Sequence, residues 1–113
     1  MIDLSAAHLA LVKKILKAHV PDREVRAFGS RVVGKAKPYS DLDMVIMGET
    51  KLGLEKIAVL RDAFEESNLP FRVDILDWAA LSEAFRLVIQ KKFTILQKPL
   101  LDSASGSRQK NKK

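Results

Sequence analysis

The chain has 113 residues and a formal net charge of +6, with 47% hydrophobic and 30% charged residues. This length suits one domain, and the composition is that of a globular protein rather than a disordered one. The sequence contains no cysteine, which excludes disulfides, zinc–thiolate sites and thiol nucleophiles. No apolar run approaches the roughly 18 residues of a membrane span. A chain without cysteine suits a reducing cytoplasm, where we expect this protein.

The basic excess is shared between the body of the chain and its end. Residues 102–113 are polar and carry four basic residues against one acidic residue, a net +3, which leaves +3 for residues 1–101. We expect residues 1–101 to form the folded domain and residues 102–113 to be a disordered basic tail. The body is too weakly basic to predict direct binding to nucleic acid.

The spacing of apolar residues predicts an α+β domain in which a few strands pack against helices. A first helix is expected over residues 4–20, with Ser5 as its N-cap and Pro21 at its end. The further predicted elements are a strand at 24–28, a turn or short helix at 31–36, a strand at 41–47, a helix at 54–67, a strand at 71–76, a helix at 79–91 and a short strand or extended end at 93–96.

Residues 27–45, AFGSRVVGKAKPYSDLDMV, contain the motifs that bear on function. Gly29, Gly34 and Lys35 satisfy the G-x-x-x-x-G-K pattern of a P-loop, but Ala36 stands where a Ser or Thr should bind Mg²⁺. A P-loop domain also needs several parallel strands with crossovers, which a chain of this length does not comfortably supply. We therefore interpret the P-loop match as accidental.

Two aspartates lie on one face of the strand predicted at 41–47. Asp41 and Asp43 point the same way, because side chains at i and i+2 of a strand share a face. Such carboxylates repel each other without a cation, and oxygen ligands suit Mg²⁺ or Mn²⁺. Asp74 lies on the polar face of the next predicted strand, where sheet pairing would bring it alongside. Three aspartates from two strands are typical of a two-metal phosphoryl-transfer site.

Gly29 and Ser30 follow the strand predicted at 24–28. A glycine at a strand end lets the backbone approach a phosphate closely, and Ser30 adds a hydroxyl donor. We expect the outer phosphates of a nucleoside triphosphate to bind here, next to Asp41 and Asp43.

Other residues near this region leave alternatives open. Arg31 is the best candidate among the basic residues for a further phosphate contact, although a solvated loop also explains it. Asp77 is a rival of Asp74 for the third carboxylate, but it is better suited to cap the last helix. Tyr39 fits either stacking on a base or local packing, and Arg72 fits an ion pair with Asp74.

The motif as a whole resembles a known family. Gly29-Ser30, ten intervening residues and Asp41-Leu42-Asp43 form the pattern G-S-x₁₀-D-x-D, which is similar to the signature of the nucleotidyltransferase superfamily that includes DNA polymerase β. The flanking residues and the segment 72–78, RVDILDW, resemble the minimal nucleotidyltransferases (MNT) encoded beside HEPN-domain partners. The resemblance covers residues 20–95.

The resemblance implies a polymerase β-like fold, with a small mixed sheet of three or four strands flanked by helices. It also implies Mg²⁺-dependent transfer of a nucleoside monophosphate, AMP from ATP, to a hydroxyl. Asp41, Asp43 and Asp74 would be the catalytic and metal-binding residues for two Mg²⁺ or Mn²⁺ ions. Gly29 and Ser30 would bind the β- and γ-phosphates. The expected acceptor is a tyrosine of a HEPN-type toxin in a hetero-oligomer, which makes this chain an antitoxin.

Two other functions stay open at the level of the sequence. One is a nucleotide-binding subunit that neutralises or assists its partner by binding alone. The other is a transferase that modifies a small molecule such as an antibiotic. The size of the domain favours a protein acceptor, because larger antibiotic nucleotidyltransferases use additional domains to hold their acceptor.

Overall fold

The structure is a computed structural model that describes residues 2–100 of the chain. The tail predicted at residues 102–113 therefore lies outside the described residues. The helices are α1 (Ala6–His19), α2 (Ser30–Val33), α3 (Leu54–Glu65) and α4 (Glu83–Lys91). The strands are β1 (Val25–Phe28), β2 (Leu42–Ile46), β3 (Val73–Asp77) and β4 (Thr94–Gln97), and a 3₁₀ turn spans Trp78–Ala80.

The four strands form one mixed sheet in the order β3-β2-β1-β4. β2 and β3 run parallel, whereas β1 runs antiparallel to both of its neighbours, β2 and β4. This arrangement confirms the predicted α+β class and the mixed sheet with flanking helices. Each predicted strand is present, within two residues of the expected bounds at either end.

The core lies between one face of the sheet and the two long helices, α1 and α3. Alternate strand residues point to this face, and both helices present apolar side chains at a spacing of three to four residues. The buried helix residues are Val12, Leu16, Ile57, Leu60 and Phe64, and the buried strand residues are Val25, Ala27, Leu42, Met44, Ile46, Ile75 and Leu96.

The opposite face of the sheet carries the polar residues of the predicted site. Asp43 pairs with Phe28 of β1 on one side and with Asp74 of β3 on the other, so all three point to this face. The rings of Phe28 and Phe85 meet edge to face with centroids 6.1 Å apart, which places α4 on the same face. Among residues 2–100, no helix has the length and apolar content that a membrane crossing requires.

Two helix starts are set by serine caps, one expected and one not. The hydroxyl of Ser5 accepts the backbone N–H of His8 at 3.1 Å, as predicted. The last helix begins later than predicted, at Glu83, and its cap is Ser82 rather than Asp77. The prediction for Asp77 is wrong because this residue ends β3, where its carboxylate accepts the backbone N–H of Leu52 at 2.7 Å.

The packing of α3 predicts contrasting effects of two neighbouring substitutions. Leu60 is fully buried whereas Val59 is 50% exposed. We expect Leu60→Ala to lower the free energy of unfolding by about 2–5 kcal/mol, because it leaves a cavity in the core. Val59→Ala should cost less than about 1 kcal/mol. Urea denaturation measures both, and equal costs would contradict the assignment of the buried face.

Candidate active site

The sheet brings the three predicted aspartates into one cluster. Asp43 and Asp74 are directly paired residues of the parallel strands β2 and β3, whose backbones lie about 4.8 Å apart. Asp41 immediately precedes β2, two residues before Asp43. The sequence prediction that sheet pairing places Asp74 beside Asp43 agrees with this register.

Burial and the clustering both affect the pKa of the Asp43 carboxyl. Burial raises the pKa of the Asp43 carboxyl, and the negative charges of Asp74 and then Asp41 raise this pKa further. Within residues 2–100 the one ion pair joins Arg26 and Glu24. No basic side chain of this region therefore neutralises the cluster by direct pairing, and the three carboxylates form a concentrated negative charge suited to a cation.

The Gly29–Ser30 turn lies directly against this cluster. Gly29 has φ +83° and ψ −157°, a conformation available essentially to glycine alone. A Cβ atom at this position would overlap the Oδ2 atom of Asp43. The carbonyl of Gly29 accepts the backbone N–H groups of Val32 and Val33 at 2.9 and 3.0 Å, which fixes the start of α2. The strand end predicted to hold phosphates is therefore in contact with a predicted metal ligand.

The donor set of the cluster fits Mg²⁺ or Mn²⁺. It consists of carboxylate oxygens from three aspartates, which hard divalent cations prefer, and it contains no sulfur or imidazole. No three His, Cys, Asp or Glu side chains among residues 2–100 already enclose a metal position. Binding would therefore require the aspartate side chains to turn toward the ion from their fixed backbone positions.

Arg31 lies inside the protein rather than at the phosphate turn, and it is 5% exposed. Its guanidinium donates to the carbonyls of Asp3, Ser40 and Pro38 at 2.8, 2.9 and 3.0 Å, and it stacks 4.1 Å from the ring centroid of Phe71. The predicted phosphate contact does not fit this placement, because the donors are already bonded to main-chain oxygens. Arg31 instead fixes the loop that ends at Asp41.

An open groove of about 510 Å³ borders the cluster on the side of β3. Asp41 and Asp74 lie at the groove, together with Arg61 from α3 and Arg72 from the segment that leads into β3. Tyr39 also lines it and is 80% exposed. The expected ion pair between Arg72 and Asp74 is not among the contacts of residues 2–100. Arg72 is therefore available to a ligand of the groove.

Sequence reasoning missed two contributions to this region. Arg61 lies on the exposed side of α3, outside every motif, and only the fold brings it to the groove. Phe71 serves as a groove wall. The guanidinium of Arg31 lies over its ring, and the ring of His8 meets it in a T-shaped arrangement with centroids 5.7 Å apart. The sequence shows Arg31 next to the Gly-Ser motif, but it does not show that Phe71 is its partner.

Comparison with known proteins agrees with the site. The family described as "Nucleotidyltransferase domain" matches residues 9–102, which include all three aspartates and the Gly29–Ser30 turn. The chain belongs to this nucleotidyltransferase family. A relative from Haemophilus influenzae (strain ATCC 51907 / DSM 11121 / KW20 / Rd), named "Probable protein adenylyltransferase MntA", is 52% identical over 96 residues. That alignment covers 85% of this chain and 84% of the relative.

Solved structures of toxin–antitoxin complexes share the fold. A toxin–antitoxin structure with AMP-PNP matches with a TM-score of 0.68 and 20% identity, over 87% of this chain and 77% of the other. The tri-AMPylated Shewanella oneidensis HEPN toxin in complex with MNT antitoxin matches with a TM-score of 0.60 and 21% identity, over 84% and 76% of the two chains. At these identities, both matches show that the fold is shared.

The contact of Gly29 with Asp43 predicts different outcomes for two glycine substitutions. Gly34 has a similar φ, +82°, but open space around its missing side chain. Gly34→Ala should cost about 1 kcal/mol of stability from backbone strain alone. Gly29→Ala should also push Asp43 aside, and we expect it to weaken Mg²⁺–AMP-PNP binding by about tenfold or more. Calorimetric titration of both variants checks this, and equal affinities would contradict it.

The raised pKa of Asp43 predicts a pH-dependent stability difference. In the metal-free protein the folded state binds this proton more tightly than the unfolded state, so stability is lost as pH rises through the raised pKa. Asp43→Asn has no carboxyl at this position, so its stability does not fall in this way as the pH rises. We expect the variant to melt higher than the wild type at neutral pH in EDTA, and the difference to disappear in acid.

Added Mg²⁺ should reverse the order of the two proteins. It should raise the melting temperature of the wild type, because it binds only the folded state, and leave that of Asp43→Asn nearly unchanged. Asp22→Asn is the matched control, since Asp22 is exposed. A control that melts like Asp43→Asn, or a wild type insensitive to Mg²⁺, would count against the cluster as a cation site.

Proposed function

We propose that this nucleotidyltransferase transfers AMP from Mg²⁺–ATP to a tyrosine hydroxyl of a HEPN-domain partner protein. The observation that carries the proposal is the position of Asp43, which touches the Gly29–Ser30 turn on one side and is paired with Asp74 on the other. A phosphate-binding turn and a carboxylate cluster in direct contact are the two parts that phosphoryl transfer requires.

Each part has a defined task in this reaction. Gly29 and Ser30 bind the β- and γ-phosphates, and Asp41 and Asp43 hold two divalent cations with Asp74 completing the acceptor side. Bound Mg²⁺ supplies charge stabilisation for the phosphates. The acceptor oxygen attacks the α-phosphorus and forms a new P–O bond, while the α–β bond breaks and pyrophosphate leaves with its electron pair. Asp74 accepts the hydroxyl proton, directly or through water.

The identity of the acceptor is supported by the relatives. The 52% identical relative is named a probable protein adenylyltransferase, and an MNT antitoxin of the same fold was solved with a HEPN toxin that carries three AMP groups. By analogy, this chain modifies a HEPN toxin in a hetero-oligomer and so acts as an antitoxin in the cytoplasm, where ATP is available.

The alternative of a subunit that acts by binding alone is less well supported. Burial, followed by the neighbouring carboxylates, raises the pKa of Asp43, and a group ionised against such a shift destabilises the folded protein. A subunit that only covers its partner has no chemical use for this arrangement, whereas a metal-dependent transferase does. The positions of Asp41, Asp43 and Asp74 therefore favour catalysis.

The proposal predicts that transfer depends on the aspartate pair. Incubation with a HEPN-domain partner protein, Mg²⁺ and labelled ATP should place AMP on a partner tyrosine, located by mass spectrometry. Asp41→Asn/Asp43→Asn should reduce the rate about a thousandfold or more, because several kcal/mol of charge stabilisation are lost. EDTA should have the same effect on the wild type.

Two results separate the alternatives. The matched control Asp22→Asn/Asp62→Asn changes two exposed aspartates outside the cluster and should keep full activity. If the Asp41/Asp43 variant binds the partner and suppresses the toxin as well as the wild type does, without AMP transfer by either, the chain acts by binding alone. A wild type that modifies a small molecule but no protein would also overturn the proposal.

A further inference from the structure

The groove lies on the side of the carboxylates away from the phosphate turn. Across the sheet, Gly29 follows β1, Asp43 lies on the central strand β2, and Asp74 lies on the edge strand β3. The groove is formed by α3, the segment before β3 and the loop before β2. None of the described residues that line it comes from β1 or from the Gly29–Ser30 turn.

This position suits the acceptor rather than the phosphates. In phosphoryl transfer, the attacking and leaving oxygens lie roughly in line on opposite sides of the phosphorus. With pyrophosphate at the Gly29–Ser30 turn, the acceptor must approach from the side of Asp74. Asp41 and Asp74 line the groove themselves, so a group bound there is next to the carboxylate cluster.

The charges of the groove indicate which acceptor segment it fits. Arg61 and Arg72 are exposed, and neither makes a side-chain hydrogen bond or ion pair within residues 2–100. Asp41 and Asp74 are committed to the metal site in the proposed function, which leaves Glu65 as the other charged lining residue. With Asp41 and Asp74 set aside, the lining residues Arg61, Arg72 and Glu65 have a net charge of +1. Two unpaired guanidinium groups favour a carboxylate-bearing ligand.

The wall of the groove is preformed. The buried guanidinium of Arg31 lies over the Phe71 ring, 4.1 Å from its centroid, and the ring of His8 packs against Phe71 in a T-shaped arrangement. Phe64 is 4% exposed and forms part of the apolar lining. An aromatic side chain can therefore pack against fixed apolar surface while flanking carboxylates meet the arginines.

We propose that this groove is the acceptor site, and that it takes a partner segment in which a tyrosine is flanked by acidic residues. The inference rests on the proposed function and adds where the acceptor binds and what accompanies it. The phenolic oxygen forms the new bond to the α-phosphorus, the α–β bond breaks, and pyrophosphate leaves on the opposite side. The phenolic proton passes to Asp74 or to water.

The test reverses the two free charges and separates acceptor binding from nucleotide binding. Arg61→Glu/Arg72→Glu should lower kcat/KM for the HEPN partner by about tenfold or more, through KM, because two charge-assisted contacts are lost. The dissociation constant of Mg²⁺–AMP-PNP should stay within about twofold. Arg61→Lys/Arg72→Lys keeps the charge and should retain most of the partner affinity. Lys13→Glu/Lys17→Glu, on the exposed side of α1, is the control of equal charge change.

Every outcome bears on the proposal. Weaker AMP-PNP binding in parallel with slower transfer would show that the groove holds the nucleoside, and unchanged transfer would show that the acceptor binds elsewhere. If the Lys13/Lys17 control loses as much kcat/KM as the groove variant, the effect comes from overall charge and not from the groove. If the wild type transfers no AMP to the partner, the proposed function itself fails. If the wild type transfers AMP and the groove variants transfer it equally well, only the groove assignment fails.

Discussion

One electrostatic constraint governs the site: Asp43 is held close to two other carboxylates that repel it. Parallel pairing of β2 with β3 sets Asp74 beside it, the chain direction sets Asp41 two residues before it, and the Gly29 backbone closes against its carboxylate. A sheet does not adopt this arrangement for its own stability, because like charges placed opposite each other are destabilising. The rest of the fold must therefore hold these groups in place.

One face of the sheet stabilises the fold, and the other face carries the site. One face buries a continuous apolar cluster against α1 and α3, and burial of this kind is the dominant favourable term in folding. Residues of the same strands that point the other way carry the carboxylates. Leu42 and Met44 anchor β2 in the core on either side of Asp43, so the same backbone stabilises the protein and positions the charge.

The elements and the cluster could be predicted from sequence because both rest on local periodicity. Alternation along residues 41–47 placed Asp41 and Asp43 on one face, and the Gly-Ser offset indicated where phosphates would bind. The role of Arg31 could not be predicted, since its partners Asp3 and Phe71 lie 28 and 40 positions away along the chain. Asp77 was misassigned because Ser82 offers a competing cap and the partner of Asp77, Leu52, lies on a distant loop.

The buried Arg31 has a consequence for which residues around the site can vary. Its guanidinium joins the chain start near Asp3, the loop before Asp41 and the ring of Phe71. Its hydrogen bonds go to main-chain carbonyls, including those of Asp3, Pro38 and Ser40, and every residue type supplies a carbonyl. The side chains at these three positions can therefore change without loss of the bonds. The arginine itself cannot be exchanged in the same way, because no other side chain presents several N–H donors in one rigid plane.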